Sequence, residues 1–473
     1  MNASSHSAAT EPVHAQHAAG DIAAHLHPYT NLAAHPSVGP LVITRGDGVF
    51  VEDDQGKRYL EAMSGLWCAS LGFSNARLAQ AGSAALHALP YYHTFNHRSN
   101  PAAIELAGKL LSIAPAPMSK VFFANSGSEA NDTAVKLVWY YHNAIGKPAK
   151  KKILARANAY HGVTVAAASL GGLATNHRDF DLPIERIMHV DCPHHYRYGL
   201  PGESEQDFAT RLAAQLERRI VEEGPDTVAA FIAEPVMGAG GVLVPPASYF
   251  EKVQAVLRRY DVLLVADEVI CGFGRTGEMF GSTTFGMRPD ILTCAKALSS
   301  GYMPISAVLV NEKVMAGLTA NSEKIGVFGH GYTYSGHPVA CAVALETLRV
   351  YEEERVLEHV QAIVPRFQQA LRAYASRPLV GEVRGVGLIG AIELAADPAQ
   401  RRPFDPARKT GARLAQLALE QGLIVRAMGD AVAFCPPLII SADEMDEMFR
   451  RFDIAMRRLE AECQAGGDGK AGA

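Results

Sequence analysis

From residue 100 to 310 the chain repeats one unit: a short apolar run, then a stretch whose apolar positions recur every three or four residues. That alternation is the strongest constraint in the sequence. It calls for a sheet whose strands are covered by helices on both faces. The predicted strands are 121–124, 152–156, 187–190, 228–233, 262–266, 291–295 and 307–310. Between them Phe208, Leu212, Leu216 and Ile220 recur every fourth residue, and Phe250, Val253, Leu257 and Tyr260 at intervals of three and four. Both stretches read as amphipathic helices, the first closed by Gly224-Pro225. The expected fold class is α/β, with a mostly parallel seven-stranded sheet in a large domain.

After residue 345 the pattern changes. One long helix is expected over 343–375, a glycine-punctuated strand region over 379–395 and a helix over 409–421. Short strands near 423–426 and 432–435 lead to a last helix carrying Met445, Met448, Phe452, Met456 and Leu459. Residues 41–60 alternate like a hairpin that joins this smaller α+β unit. The expected organisation is a flexible tail (1–24), two pieces of a small domain (25–80 and 343–465) and a large domain (81–342).

Composition narrows the partners. With 44 Lys+Arg against 49 Asp+Glu there is no basic footprint, so nucleic acid is not expected. The seven cysteines are scattered, with no CxxC pair, which points to a reducing cytoplasm rather than a disulfide framework or zinc knuckle. No apolar run approaches the roughly 18 residues that span a bilayer, and no secretory signal is visible, so no membrane partner is expected. His6, His14, His17, His25, His27 and His35 crowd the N-terminus. Their irregular spacing among small residues favours a frayed tail over a metal site, and no metal is expected.

Two GxGxxG strings are decoys. Gly385–Gly390 runs into Ala391-Ile392-Glu393-Leu394, which alternates like a strand, whereas a dinucleotide loop opens a helix. Gly272–Gly277 follows a strand, but Asp267 and Glu268 just before it would repel a pyrophosphate. No GxxxxGK[ST] loop exists, so the Walker-B-like end of strand 262–266 has no ATPase partner.

Four features stand at the carboxyl ends of predicted strands, where an open α/β sheet holds its ligand. Asn125-Ser126-Gly127-Ser128-Glu129 opens a helix with small residues that expose N–H groups to a phosphate, or else forms a plain capping box. Asp267 ends the most hydrophobic strand and must be paired there. Lys296 closes strand 291–295, either as a nucleophilic amine of lowered pKa or as the ion-pair partner of Asp267. Tyr160-His161 follows strand 152–156 and offers an aromatic plane, although a loop tyrosine is often only packing. Together they suit a phosphorylated ring with an aldehyde and a basic ring nitrogen, which is pyridoxal phosphate.

Several strings then resemble one family. Asn-Ser-Gly-Ser-Glu-Ala-Asn-Asp at 125–132, Tyr160-His161-Gly162, Glu234-Pro235 with Gly238-Ala239-Gly240-Gly241 and Ala266-Asp267-Glu268-Val269 are similar to class III pyridoxal-phosphate aminotransferases. So are Gly272–Gly277, Ala295–Gly301 and Gly331–Pro338, in the right order over nearly the whole chain. Gly65-Leu66-Trp67-Cys68, Pro90-Tyr91-Tyr92, and Arg426 with Gly429-Asp430 resemble the amine:pyruvate (ω-transaminase) branch. The resemblance implies a fold-type-I homodimer with shared active sites, or a tetramer. By resemblance, Lys296 is the Schiff-base lysine and Asp267 the partner of the ring nitrogen. Tyr160 and Val269 cover the two ring faces, and Ser126, Gly127 and Ser128 bind the phosphate. Thr333 reaches that phosphate from the neighbouring subunit, and His161 and Glu234 complete the cofactor set. Trp67, Tyr92 and Tyr160 line the substrate pocket. Arg426 is the mobile arginine that grips a carboxylate or swings aside for an uncharged amine, a role its forked guanidinium suits; its bland alternative is a surface ion pair.

The implied activity is ping-pong transfer of an amino group from an amine or ω-amino acid to an α-keto acid, pyruvate above all. A 2-oxoglutarate-dependent γ-aminobutyrate-type enzyme and an aminomutase share every cofactor residue. Two departures stand out: Ala239 where ornithine- and γ-aminobutyrate-type members often carry Glu, and Met237 where many relatives carry Gln.

Overall fold

The computed structural model describes residues 13–467. Its central feature is a seven-stranded sheet built, in spatial order, from Lys120–Ala124, Ser306–Val310, Ile291–Cys294, Leu263–Asp267, Val228–Ala233, Lys152–Arg156 and Ile187–Val190. Six of the strands run in one direction, and only Ser306–Val310 runs antiparallel to both its neighbours.

The strands are apolar throughout because each face of the sheet has its own core. Ile153, Ile232, Val265 and Val308 pack under helix Gly127–Ala144. One residue over, Leu154, Phe231 and Leu264 point the other way, against Phe208, Leu216, Phe250 and Leu257 of helices Glu205–Glu223 and Tyr249–Arg259. This is the period-two alternation of a strand. Each large side chain buried in this way stabilises the fold by roughly 1.5–3 kcal/mol. Ser204 caps the first of the latter helices by accepting from Asp207 N, and Gly224 (φ 87°) ends it.

Residues 41–60 form more than a hairpin. Ile43–Asp47, Phe50–Asp53 and Arg58–Glu61 make a meander, and Leu423–Ile424 pairs parallel to its last strand, joining the two ends of the chain. The helix expected over 343–375 is two helices, Pro338–Glu353 and Val356–Arg372. Arg355 adopts a left-handed conformation (φ 53°) after three consecutive glutamates, and the backbone turns there.

The N-terminus also differs from expectation. Residues 1–12 of the predicted flexible tail lie outside the described residues, but Val13–Ala24 is an α-helix. Alanine-rich composition favours a helix, and tertiary contacts hold it: His14 Nδ1 lies 2.7 Å and His17 Nδ1 3.0 Å from the two carboxylate oxygens of Asp54.

Candidate active site

The three central parallel strands end at the same sheet edge, and each hands off one charged side chain. Val228–Ala233 leads to Glu234, Leu263–Asp267 ends on Asp267, and Ile291–Cys294 leads to Lys296. Register places Ala233 beside Ala266 and Asp267 beside Thr293. Lys152–Arg156 feeds Tyr160 and His161 to the same edge. A cavity of about 380 Å³ opens there, lined by Lys296, Asp267, Glu234, Tyr160, His161, Gly127, Ser128, Val269, Trp67 and Arg426.

Asp267 is 3% exposed, so its charge must be met locally. Oδ2 accepts from His161 Nδ1 at 2.7 Å and from Asn131 Nδ2 at 2.8 Å, and Oδ1 accepts from Val269 N at 3.0 Å. Asn131 is itself held by Thr293, whose hydroxyl donates to Asn131 Oδ1 at 2.8 Å. With Nδ1 donating, His161 Nε2 presents a lone pair, and it is buried without a partner.

The Lys296 side-chain amine forms no ion pair or hydrogen bond among the described residues. The alternative of a Lys296–Asp267 ion pair is therefore not what the structure builds: Asp267 spends its acceptors on His161, Asn131 and Val269. Burial pulls the Lys296 amine below the usual lysine range, opposed by the charge of Asp267. Lys296 (φ 50°) and Trp67 (φ 66°) both sit in the left-handed region. For such side chains that costs about 1–3 kcal/mol each, a strain that concentrates at functional sites. The turn carrying Trp67 is pinned from below by Glu61, which accepts from the N–H groups of Met63 and Gly65.

Ser126 is engaged as a helix cap, accepting from Glu129 N at 3.2 Å, while Glu129 Oε2 accepts from Asn125 N. Half of a capping box is thus formed, with Glu129 reaching back to Asn125 N rather than to Ser126 N. It leaves the N–H groups of Gly127 and Ser128 without an acceptor among the described residues, facing the cavity as a helix start does toward an anion. Glu234 is buried and held by two backbone donors, Tyr160 N at 3.1 Å and Gly238 N at 3.0 Å; burial raises its pKa. Burial also raises that of Tyr160, helped by Tyr29 lying against it.

Arg426 lines the same cavity, half-buried. Burial lowers its proton affinity, and among the described residues it has no acidic partner. Ala239 lines the same cavity. A surface ion pair is excluded for it.

Three expected residues do not line this chain's cavity: Ser126, whose hydroxyl is spent on the helix cap, Tyr92 and Thr333. Tyr92 is 41% exposed and stacks on His93, and Thr333 is exposed, with its carbonyl accepting from Tyr91 Oη at 2.9 Å. Both lie on irregular segments outside the sheet edge. Conversely, Asn131 and Tyr29 escaped sequence reading. Asn131 carried a signal: it is the polar residue on a helix face otherwise made of Ala130, Ala134, Val135 and Val138. Tyr29 carried none.

A model of the family described as Aminotransferase class-III matches residues 32–456. The chain belongs to this family. The tomato protein named gamma aminobutyrate transaminase 1, mitochondrial, is 50% identical over 436 residues, 92% of this chain and 85% of that one. Vanillin aminotransferase of Capsicum frutescens is 52% identical over 422 residues, 89% of this chain and 92% of that one. Among solved structures, the omega transaminase of Pseudomonas jessenii in complex with PMP superposes with a TM-score of 0.92 at 56% identity, covering 93% of this chain and 98% of that one.

Class III aminotransferases use pyridoxal phosphate, and the cavity fits it. Lys296 is a free amine in a largely apolar surround. The unpartnered N–H groups of Gly127 and Ser128 suit a phosphate, and the buried Asp267 carboxylate suits a protonated ring nitrogen. The cradle leaves no room for extra atoms. A Cβ on Gly162 (φ 134°) would stand 2.5 Å from Ser128 Oγ, and one on Gly127 would stand 3.0 Å from Val269 Cγ1. Gly162→Ala is expected to destabilise the fold by about 1–3 kcal/mol through overpacking and strain. Displacing Ser128 is also expected to weaken cofactor retention. A melting curve with a gel-filtration measurement of retained cofactor checks both, and unchanged values for the variant would remove the cradle argument.

Proposed function

We propose that this aminotransferase moves an amino group from an amine or ω-amino acid to pyruvate, in two half-reactions that share one site. The observation that carries the reading is Arg426: a half-buried guanidinium lining the cavity, with no acidic partner among the described residues. A buried cation left unpaired is waiting for an anion from the substrate. A bidentate grip on a carboxylate satisfies it. The cavity's carboxylates, Glu234 and Asp267, are already engaged by Tyr160 N, Gly238 N, His161, Asn131 and Val269 N, and Ala239 adds none, which leaves the guanidinium to an incoming acid.

Pyridoxal phosphate, when bound, supplies an aldehyde that captures the amine and a ring that takes up the electron pair released at the substrate carbon. The chain's own residues do the rest. Lys296 Nζ, its pKa lowered by burial, takes a proton from the amine-bearing carbon and returns one, acting as base and then acid. Asp267 holds the ring-nitrogen proton, and His161 and Asn131 hold Asp267. Tyr160 and Val269 confine the ring, while Trp67 and Tyr29 narrow the substrate end. Arg426 orients the keto acid's carboxylate.

In this reading two copies pair, and Thr333 of one reaches the phosphate end of the other's cavity. The exposed aromatic band of Tyr91, Tyr92, Phe95 and Tyr334 supports that pairing, because contiguous exposed apolar surface marks interfaces.

The named relatives favour one second reading, in which the donor is a γ-aminobutyrate-like acid and Arg426 serves donor and acceptor in turn. A panel of amines and ω-amino acids against pyruvate and 2-oxoglutarate separates the readings. A charge-assisted hydrogen bond is worth roughly 1.5–3 kcal/mol. Arg426→Ala is therefore expected to lower kcat/KM for pyruvate on the order of 100-fold. For an uncharged amine donor the change should stay within about threefold, because no carboxylate is lost. Equal losses for both would refute the role of Arg426.

A further inference from the structure

The N-terminal histidines, expected to be a frayed tail, converge on one carboxylate. Asp21 lies in the last turn of helix Val13–Ala24. His25 Nδ1 stands 3.1 Å from its Oδ1, His27 Nε2 2.7 Å from its Oδ2, and His35 Nε2, from the start of the next short helix, 3.0 Å from Oδ2. The ring centroids of His25 and His27, and of His27 and His35, are 4.3 Å apart. The ligand atoms of Asp21, His25 and His27 all fall within 4.8 Å of one another. We propose that Asp21, His25, His27 and His35 bind one divalent transition-metal ion of the zinc class.

Four side chains, three imidazole nitrogens and one carboxylate oxygen, match the donor set and number of a tetrahedral zinc site. With metal–nitrogen bonds of about 2.0–2.1 Å, neighbouring ligand atoms stand about 3.3 Å apart. The donor atoms of Asp21, His25 and His27 already lie within 4.8 Å of one another, and His35 Nε2, 3.0 Å from Asp21 Oδ2, closes in on them as the fourth. Imidazole excludes calcium and magnesium, which take oxygen ligands.

The proton count also closes. Each imidazole now turns one ring nitrogen, as an N–H, toward Asp21. To bind metal it carries that proton on the other ring nitrogen instead: Nε2 of His25, and Nδ1 of His27 and His35. None of these three nitrogens has another partner among the described residues. Asp21 accepts these hydrogen bonds now, and its carboxylate turns to the ion as they are given up. Side-chain exposures of 62% for His25, 24% for His27 and 11% for His35 give an ion access from solvent.

The site has a position that matters. His27 and His35 bracket the strap that carries Pro28 and Tyr29 into the wall of the catalytic cavity. Tyr29 Oη donates to Asn176 Oδ1 at 3.1 Å, and Tyr29 lies against Tyr160. A metal that ties both ends of the strap to Asp21 fixes Tyr29 over the substrate end. The metal site itself does not depend on the proposed amine and acceptor.

The test is calorimetric titration of the full-length holoenzyme with ZnCl2 after EDTA treatment and dialysis. One zinc per chain is expected, and no heat from MgCl2. His27→Ala and His35→Ala should each weaken binding by more than the roughly 10–100-fold that removing an outer-shell partner costs. His25→Ala removes an exposed ring that packs on little, so it should fold normally and still weaken binding. A His14→Ala/His17→Ala double variant, which touches only Asp54, should bind like the wild type. Hydrogen exchange over residues 25–36 should slow on zinc addition in the wild type and not in His27→Ala. Absence of saturable zinc binding overturns the proposal. So does binding that survives all three single variants, binding lost in the His14/His17 variant, or unchanged exchange of the strap.

Discussion

Lys296→Ala is expected to abolish steady-state transamination, with a loss of at least about 10⁴-fold. Two functions disappear at once. One amine both anchors the cofactor and stands in the cavity beside Asp267, where it can move a proton at the substrate carbon. General acid–base catalysis alone contributes roughly 10²–10⁴-fold, and loss of a nucleophilic amine adds to it. The measurement pairs turnover with the absorbance of the protein supplied with pyridoxal phosphate. The variant should still bind the cofactor through Gly127, Ser128 and Asp267, but with a spectrum lacking the covalent lysine adduct. Added methylamine should restore part of the rate, a readout that mere misfolding would not give. Normal turnover with an unchanged spectrum would remove Lys296 from the mechanism.

Asp267→Asn should lower kcat by on the order of 10²–10³-fold while leaving the fold nearly intact. A carboxylate close to a basic nitrogen raises its pKa by about 1–3 units, and each unit corresponds to about 1.36 kcal/mol. The asparagine keeps the shape and can still accept from His161 and Asn131, but it cannot hold the ring-nitrogen proton. The same charge raises the pKa of Lys296 against its burial. Removing it lowers that pKa further, so the pH limb assigned to Lys296 should move to lower pH in the variant. Rates of each half-reaction across pH check this, with Asp267→Glu expected to recover part of the loss. A kcat within threefold of wild type, or a limb that moves upward, would sink the pairing of Asp267 with the ring.

Much of the sheet was legible because its signal is local. A strand covered on both faces is apolar at every position, and the seven predicted runs each overlie an observed strand, from Lys120–Ala124 to Ser306–Val310. Polar residues at the ends of such runs were equally readable. Asp267 and Lys296 stand where an apolar strand stops, and burying them there has a price that only a partner or a ligand offsets. The break at Arg355 was not legible. Helical periodicity runs through it, and only the backbone's left-handed turn separates the two helices.

The remaining misses are matters of tertiary placement. Spacing alone left Lys296 and Asp267 as a candidate ion pair. The structure decides against it because Asn131 and His161, 136 and 106 residues away in sequence from Asp267, take up its oxygens first. Tyr29 lines the cavity through a strap that no periodicity announces. The histidines around it look scattered in sequence, because the steps of four, two and eight residues from Asp21 to His25, His27 and His35 match no single regular element. They meet only when a helix end, a loop and the next helix start fold over one another.

By itself, then, the sequence determined the layered α/β architecture, the edge of the sheet that carries the chemistry and the residue types stationed there. These follow from solvent exclusion, which acts residue by residue. The tertiary structure alone decided which charges pair, which stay free for a ligand, and how the N-terminal segment reaches the cavity. Pairing depends on distances of a few ångströms between segments far apart in the chain, and nothing local in the sequence encodes them.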